Sequence, residues 1–265
     1  MSSEFLDSFN DRKRQVRHYL AIVVAAERKA ALGKTTITQE RRLLTLRAGT
    51  FLLLYNLIEA TTRIAIDAIH DRIVTERVPF TLLNLELRKE VLRRFIVGAD
   101  PTKNHTMADF PIEFVAIALD QGIKLSGNVD AKRIRGLAQC YGFSSDTTQE
   151  QTWLGADLLT IKSQRNALAH GFQSYEDIGR DYPARELLAI SRRSMAYMAE
   201  MLRNISTYLD GSGYREAKPL PEVADYMTDN LIPDSARKSG RDGVPDKPAN
   251  ESEIHALSSR DKFEV

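Results

Sequence analysis

The chain has 265 residues, of which 43% are hydrophobic and 28% charged, proportions typical of a globular protein that buries a core. Its 37 Lys and Arg nearly balance its 36 Asp and Glu, which excludes an overall basic coat for nucleic acid but leaves room for a local basic site. The single cysteine, Cys140, cannot form an internal disulfide, so we expect a packed thiol and a cytoplasmic protein. The N-terminus lacks a basic signal region, and the longest clean apolar run, residues 20–26, is too short to cross a membrane. We therefore expect no membrane partner.

The first 98 residues carry three apolar patterns with helical spacing. The first pattern starts at Phe5 and stops near Gly33. The second starts at a Thr-Ile-Thr-Gln-Glu-Arg segment, which has the form of a capped helix start. It then continues for about ten turns, with Gly49 expected to bend it. A third helix is predicted after Pro79 and ends near Gly98.

Residues 99–150 differ from the rest of the body because Pro and Gly divide them into short segments. One segment, from Asn128 to Gly142, predicts a capped helix with a glycine at its end. Residues 123–125 are a weak candidate for a short strand. The pattern predicts a small subdomain inserted at about 99–150 between the third and fourth core helices.

Two long helices close the predicted body, one over residues 152–170 and one from Pro183 to about Leu209. The sequence therefore predicts an all-α fold, a helical bundle over residues 1–210 that contains the insert. Residues 211–265 hold five of the nine prolines and 11 acidic against 8 basic residues. This acidic composition predicts a tail that is largely disordered or binds a partner.

Two common types of site are poorly supported by the sequence. Gly33-Lys34-Thr35 resembles the end of a phosphate-binding loop, but Arg28 stands where that loop needs a glycine, and a helix precedes it instead of a strand. The five histidines are scattered, and no two have the spacing that would place both as metal ligands on one helix face. We therefore predict no metal site and no cofactor.

The segment Lys-Ser-Gln-Arg-Asn-Ala-Leu-Ala-His-Gly at residues 162–171 stands out for its context. An arginine shortly before a histidine is a weak signal by itself, because the chain contains three such pairs: Arg12 with His18, Arg63 with His70, and Arg165 with His170. In the third pair Asn166 follows the arginine, Gly171 follows the histidine, and a predicted helix ends there.

These residues resemble the signature of the HEPN superfamily, an Arg that is usually followed by Asn, then three residues and His. The large bacterial branch called MAE-type is similar over residues 10–209, with a Tyr-Asn-x2-Glu pattern (here Tyr55 to Glu59) and a Ser-Gly-Asn-x-Asp segment starting at Ser126. The resemblance implies a HEPN-like bundle, a homodimer, and an endoribonuclease that acts as a toxin or in phage defence. It also implies a cognate antitoxin or defence partner.

Metal-independent cleavage of RNA suits the chemistry of this segment. His170, at the negative end of a helix dipole, can exchange a proton, and the guanidinium of Arg165 can stabilise a phosphate as its charge grows. RNA supplies its own nucleophile, the 2′-hydroxyl. Asn166 and His170 share a helix face, whereas Arg165 and His170 lie about 140° apart. All three therefore converge on one phosphate only if the helix loosens at Gly171 or if a second copy contributes.

Other interpretations remain open at this stage. Arg165 and His170 could instead cap a helix end, in a non-catalytic HEPN module that binds RNA or scaffolds a partner. Asn56 and Glu59, which we expect to be buried, either support the motif or form a hydrogen-bonded pair in the core. Some HEPN toxins carry a tyrosine two residues after the histidine that their partner enzyme modifies, and Phe172 stands there in this chain.

Overall fold

A computed structural model describes residues 2–33, 36–98, 114–120, 122–123, 125 and 127–216. The chain divides into two units, Met1–Leu220 and Pro221–Val265, and the second lies outside the described residues. The described ranges contain α-helices and no β-strand, which confirms the predicted all-α bundle. The helices are α1 (Ser2–Leu32), α2 (Ile37–Thr75), α3 (Leu85–Gly98), α4 (Phe114–Asp120), α5 (Ala131–Tyr141), α6 (Gln149–Thr152), α7 (Ala156–Ala169), α8 (Tyr175–Asp181) and α9 (Ala184–Asp210).

Helix α2 is the central element and packs against α1, α4, α7, α8 and α9. A capping box starts it: the Gln39 N–H donates to Thr36 Oγ1 at 3.3 Å and the Thr36 N–H donates to Gln39 Oε1 at 3.1 Å. By length and apolarity α2 could also cross a membrane, but half of its most apolar window is buried in the bundle, and this packing accounts for its composition. The helix is continuous through Gly49, which lies directly against the side chain of Tyr19 on α1.

The described part of the predicted insert shares the core of the bundle. Val129, Ile134 and Tyr141 are at most 3% exposed and belong to the same apolar cluster as the residues of α2 and α9. Because α5 directs this face inward, Cys140 lies on its outer face and is exposed, so the prediction of a packed thiol is wrong. Residues 101–113 of the insert lie outside the described residues, and its status as a subdomain stays a prediction.

The third predicted helix starts later than the sequence pattern indicates. A short 3-10 turn, Phe80–Leu82, follows Pro79, and α3 begins only after Asn84. The Asn84 side chain accepts a hydrogen bond from the Leu87 N–H at 2.9 Å and donates one to the Gly213 carbonyl at 2.8 Å. One polar side chain thus caps α3 and fastens the segment that follows α9.

The first residues of the predicted tail belong to the bundle. Tyr214 is fully buried, and the Arg215 guanidinium lies 2.8 Å from the carboxylate of Glu76. Glu216 pairs with Arg88 at the same distance. The tail prediction for 211–216 is therefore wrong, because these residues have specific partners on α2 and α3, and the rest of the tail lies outside the described residues.

The helix predicted over residues 152–170 starts later than the sequence pattern indicates, at Ala156. Trp153, Leu154 and Gly155 adopt left-handed backbone conformations, with φ of 48°, 50° and 77°, and separate α6 from α7. A further helix, α8, has no counterpart in the sequence prediction and packs against α2. The motif helix α7 is consequently shorter than predicted, and its C-terminal end carries the histidine.

Candidate functional site

The Arg165 guanidinium is held on several sides. Its central carbon lies 4.4 Å from the ring centroid of Tyr55 on α2, a cation–π arrangement. Its Nη1 donates to Asn166 Oδ1 at 2.8 Å. The backbone of Gly127 lies against the same group, and a Cβ at that position would be 3.4 Å from Nη1. Three elements therefore fix the orientation of the Arg165 side chain: α2, α7 and the loop before α5.

Tyr55 is the residue through which α2 reaches this arginine. Its ring is 3% exposed, and its hydroxyl oxygen accepts a hydrogen bond from the Val129 N–H at 3.1 Å. Burial raises the pKa of the Tyr55 hydroxyl, and the negative charge of the neighbouring Glu59 carboxylate raises it further. Tyr55 therefore stays neutral and links α2 to the loop before α5.

The two predicted supporting residues, Glu59 and Asn56, have different surroundings. Glu59 is half-buried, contacts Tyr55 and pairs with Arg63 Nη2 at 3.1 Å. Asn56 is exposed, and its Oδ1 accepts a hydrogen bond from Arg12 Nη1 of α1 at 3.1 Å. The expected burial of Asn56 is therefore wrong, and each of the two residues is bonded to an arginine instead of to the other. Of the two, Glu59 is connected to the motif, because it contacts Tyr55, whose ring lies against Arg165.

A second bridge between α7 and the loop before α5 joins Lys162 to Asp130. Asp130 also caps α5, since its carboxylate accepts a hydrogen bond from the Arg133 N–H at 2.8 Å. Burial opposes ionisation of Asp130, but the hydrogen bond from Lys162 prevails and lowers the pKa of the carboxyl below its ordinary value. Lys162, Asn166 and His170 follow one another at four-residue spacing and share one face of α7.

His170 lies at the other end of the motif, where α7 stops. It is the C-cap residue, and Gly171 follows with φ of 69°. The Gly171 N–H bonds to the Leu168 carbonyl at 3.3 Å and the Phe172 N–H to the Ala167 carbonyl at 2.9 Å, which is a Schellman ending. The helix thus ends here as the glycine predicted, while the turn that carries Arg165 remains regular.

The imidazole of His170 is exposed, and its ring partner among the described residues is Phe172, 5.6 Å away between centroids. No contact among the described residues joins this imidazole to the Arg165 guanidinium. The structure therefore brings Arg165, Asn166 and Tyr55 together and leaves His170 at the surface.

Several residues of this site were not selected from the sequence. Tyr55 belongs to the Tyr-Asn-x2-Glu pattern, and Gly127 and Asp130 belong to the Ser-Gly-Asn-x-Asp segment, so both patterns were available signals. Neither pattern predicts the contacts with the motif, because both are distant from it in sequence. Lys162 carried a weaker signal, its spacing of four from Asn166 and eight from His170. In the described ranges no group of three or more His, Cys, Asp or Glu residues could hold a metal ion.

Comparison with known proteins identifies the family of the chain. A family model described as HEPN_MAE_28990-like HEPN matches residues 1–214. No curated protein and no solved structure matches the chain. The matched region contains the whole described bundle up to Tyr214, including α2, the loop before α5 and the motif helix α7. The chain therefore belongs to the HEPN superfamily, in its MAE-type branch.

Proposed function

We propose that this protein is a metal-independent endoribonuclease in which Arg165, Asn166 and His170 carry the reaction. The observation that supports this function is the contrast along α7. Tyr55 and Asn166 hold the Arg165 guanidinium in place, while His170 is exposed at the end of the same helix. A fixed cation and an accessible imidazole are the two groups that phosphodiester cleavage by the 2′-hydroxyl requires.

In the proposed reaction, the 2′-hydroxyl loses its proton and attacks the adjacent phosphorus. The bond from phosphorus to the 5′-oxygen breaks, leaving a 2′,3′-cyclic phosphate and a 5′-hydroxyl. His170 takes up or delivers these protons, and Arg165 stabilises the extra negative charge on the phosphate oxygens. Asn166 orients Arg165 through the 2.8 Å hydrogen bond, and Tyr55 with Glu59 supports that orientation.

A homodimer completes this proposal, because Arg165 faces α2 and His170 faces outward. The outer face of the C-terminal half of α7 is available for a second copy, because Ser163 and His170 are exposed there. Two such helices packed about a two-fold axis would combine the His170 of one protomer with the Arg165 of the other. We further propose a cytoplasmic toxin or phage-defence role, with a cognate partner that restrains it.

An alternative function is a non-catalytic HEPN module that binds RNA or scaffolds a partner. The observation that favours it is Phe172, which is 80% exposed beside His170 and would suit a protein contact. Because phenylalanine lacks a hydroxyl, a partner that modifies a tyrosine at this position could not act on this chain. Any cognate partner would therefore need another way to restrain this chain.

Cleavage of RNA in the presence of EDTA tests the proposal. His170→Ala should lower the cleavage rate by about 10²–10⁴-fold, since it removes the proton-transfer group. The matched control is His18→Ala, which removes an exposed histidine of α1 and should leave the rate unchanged. Products should carry 2′,3′-cyclic phosphate ends. If a folded His170→Ala protein cuts as fast as the parent, His170 does not carry the reaction. If the parent itself cuts no RNA, the scaffold function replaces the enzymatic one.

Mixing two inactive variants tests the shared site. A heterodimer of Arg165→Ala and His170→Ala subunits keeps one intact combination of Arg165 and His170. An equal mixture should therefore recover about a quarter of the parental activity. Absence of recovery in a mixture that demonstrably forms heterodimers would place each complete site within one protomer.

A further inference from the structure

A cleft outside the motif lies between α5 and the start of α7. Its volume is about 630 Å3, and we call it the Trp153 cleft after its largest exposed side chain. The residues used below are Lys132 and Arg135 of α5, Trp153 and Leu154 of the kink, and Leu159 of α7. None of these residues takes part in the reaction proposed above.

The backbone at the edge of this cleft is strained. Trp153 and Leu154 have φ of 48° and 50°, a region that residues other than glycine rarely occupy. Such conformations persist only where the surrounding structure imposes them, and they concentrate at functional sites. Trp153, the one tryptophan of the chain, lies in this strained segment and is 54% exposed.

The indole ring is nevertheless held in a fixed orientation. The Arg193 guanidinium carbon lies 3.7 Å from its centroid and covers one face of the ring. Arg193 is in turn held by both carboxylate oxygens of Asp157, with Nε and Nη2 at 2.5 and 3.0 Å. Asp157 is only 6% exposed, so the support comes from the interior of the bundle. The chain thus maintains an ordered aromatic platform at its surface.

Positive charge flanks this platform. Lys132 and Arg135 are exposed, and neither has an ion pair within the described ranges, although Arg135 Nη1 donates to the Leu154 carbonyl at 3.3 Å. Of the two acids in the lining, Asp130 is paired with Lys162, and Asp146 accepts a hydrogen bond from the Ser144 hydroxyl at 3.0 Å. An anion could therefore bind beside the ring.

We propose that the Trp153 cleft binds a nucleotide of the RNA strand, with its base stacked on Trp153 and its phosphate near Lys132 and Arg135. Stacking on an aromatic ring is how proteins hold single-stranded RNA without selecting its sequence. Gly155 and Asn166 are separated by about 16 Å along α7, so a single strand can occupy the cleft and the motif together. This inference rests on the proposed function, since it assigns a second contact to the same RNA.

The exposed leucines of the cleft favour a different occupant, a protein surface. Leu154 and Leu159 are 49% and 55% exposed and would suit a protein surface, including a second copy of this chain. The Trp153 ring, held in place by Arg193, and the cations of Lys132 and Arg135 favour RNA. A base would stack on the ring, and a phosphate would bind the two cations. The test therefore has to separate an RNA strand, a free nucleotide and a second copy.

Tryptophan fluorescence reports this site alone, because Trp153 has no other tryptophan to compete with it. The probe is a short oligoadenylate added to the full-length His170→Ala protein in EDTA. We expect saturable quenching that weakens with added salt, and at least tenfold weaker binding by the Lys132→Ala/Arg135→Ala protein. Unchanged fluorescence, AMP binding as tight as the oligonucleotide, or an emission shift that follows protein concentration without RNA would each overturn the proposal.

Cleavage kinetics give the second measurement. Trp153→Ala should raise KM about tenfold with kcat unchanged, and Trp153→Phe should restore most of the loss, because a ring remains for stacking. The matched control is Ile22→Ala, which removes an exposed apolar side chain on α1. An unchanged KM in Trp153→Ala overturns the cleft proposal and leaves the ribonuclease intact. A parent protein that cuts no RNA but shows normal quenching overturns the ribonuclease and leaves the cleft intact.

Discussion

Two of the three arginine–histidine pairs, Arg63 with His70 and Arg165 with His170, lie in opposite environments in this bundle. His70 of the first pair is 4% exposed, and its Nε2 lies 2.7 Å from the Tyr141 hydroxyl. Burial, aided by the positive charge of Arg94, lowers the pKa of His70 to about 3. His70 is therefore neutral at pH 7 and unable to accept a proton, whereas His170 of the second pair is exposed at a helix end.

The arginines of the two pairs differ as well. Arg63 is half-exposed and forms an ion pair with Glu59 one turn earlier, an interaction that contributes little when solvated. Arg165 is stacked on a buried tyrosine ring and bonded to the next side chain. The comparison shows that arginine–histidine pairs of similar spacing can differ completely in burial and partners, which spacing does not encode.

The largest expected effect in this comparison concerns Arg165. Arg165→Ala should lower kcat/KM for RNA cleavage by about 10²–10³-fold, because it removes the fixed cation that stabilises the transition state. Arg165→Lys should recover only part of the rate, since an ammonium lacks the planar fork of donors. The control is Arg14→Ala, at an exposed arginine of α1. Parental kinetics in the Arg165→Ala protein would contradict the expected difference between Arg165 and Arg63.

The next largest expected effect is on the free energy of unfolding and comes from His70. Since its folded pKa is lowered from 6.5 to about 3, the unfolded chain binds an extra proton between these pH values. The free energy of unfolding should therefore fall as the pH decreases through this window, with a slope from His70 approaching ~1.4 kcal/mol per pH unit. Urea denaturation of the full chain between pH 6.5 and 5 measures this slope.

The matched protein for this measurement is His70→Ala, which should have a shallower slope and unchanged kcat. Carboxylates with lowered pKa values, such as Glu90 and Asp130, also lose their contribution on acidification, but around their ordinary values of 4.5 and 3.8 or below. Their effect is common to both proteins and cancels in the difference. Equal slopes in the two proteins would show that His70 is not held neutral in the fold.

The smallest expected effect on activity comes from weakening the contacts that hold Arg165 in place. Tyr55→Phe keeps the ring beneath the guanidinium but removes the acceptor of the buried Val129 N–H. We expect about 1–2 kcal/mol lower stability by urea denaturation, and about fivefold lower kcat/KM as Arg165 loses part of its support. Tyr55→Leu should lose more activity, because it removes the cation–π contact as well. Equal activity in the two variants would mean that the ring does not position Arg165.

The helices were predictable where their ends are encoded locally. The capping box at Thr36 and the glycine after His170 are short-range signals, and the structure has a helix start and a helix stop at these positions. Prediction failed where a distant partner decides the conformation. Arg193 on α9 covers the ring of Trp153 at the kink, and Glu76 and Arg88 pair with residues 215 and 216, which composition had assigned to the tail.

The sequence by itself determined the all-α fold class, the family, and the motif residues Arg165, Asn166 and His170, because helical periodicity and adjacent signature residues are local properties. Only the tertiary structure decided that Tyr55 and Gly127 hold Arg165, that Lys162 is paired with Asp130, and that Asn56 is exposed. These contacts join residues that are distant in sequence. They form only when α2, the loop before α5 and α7 pack around one core, and periodicity within each helix does not encode that packing.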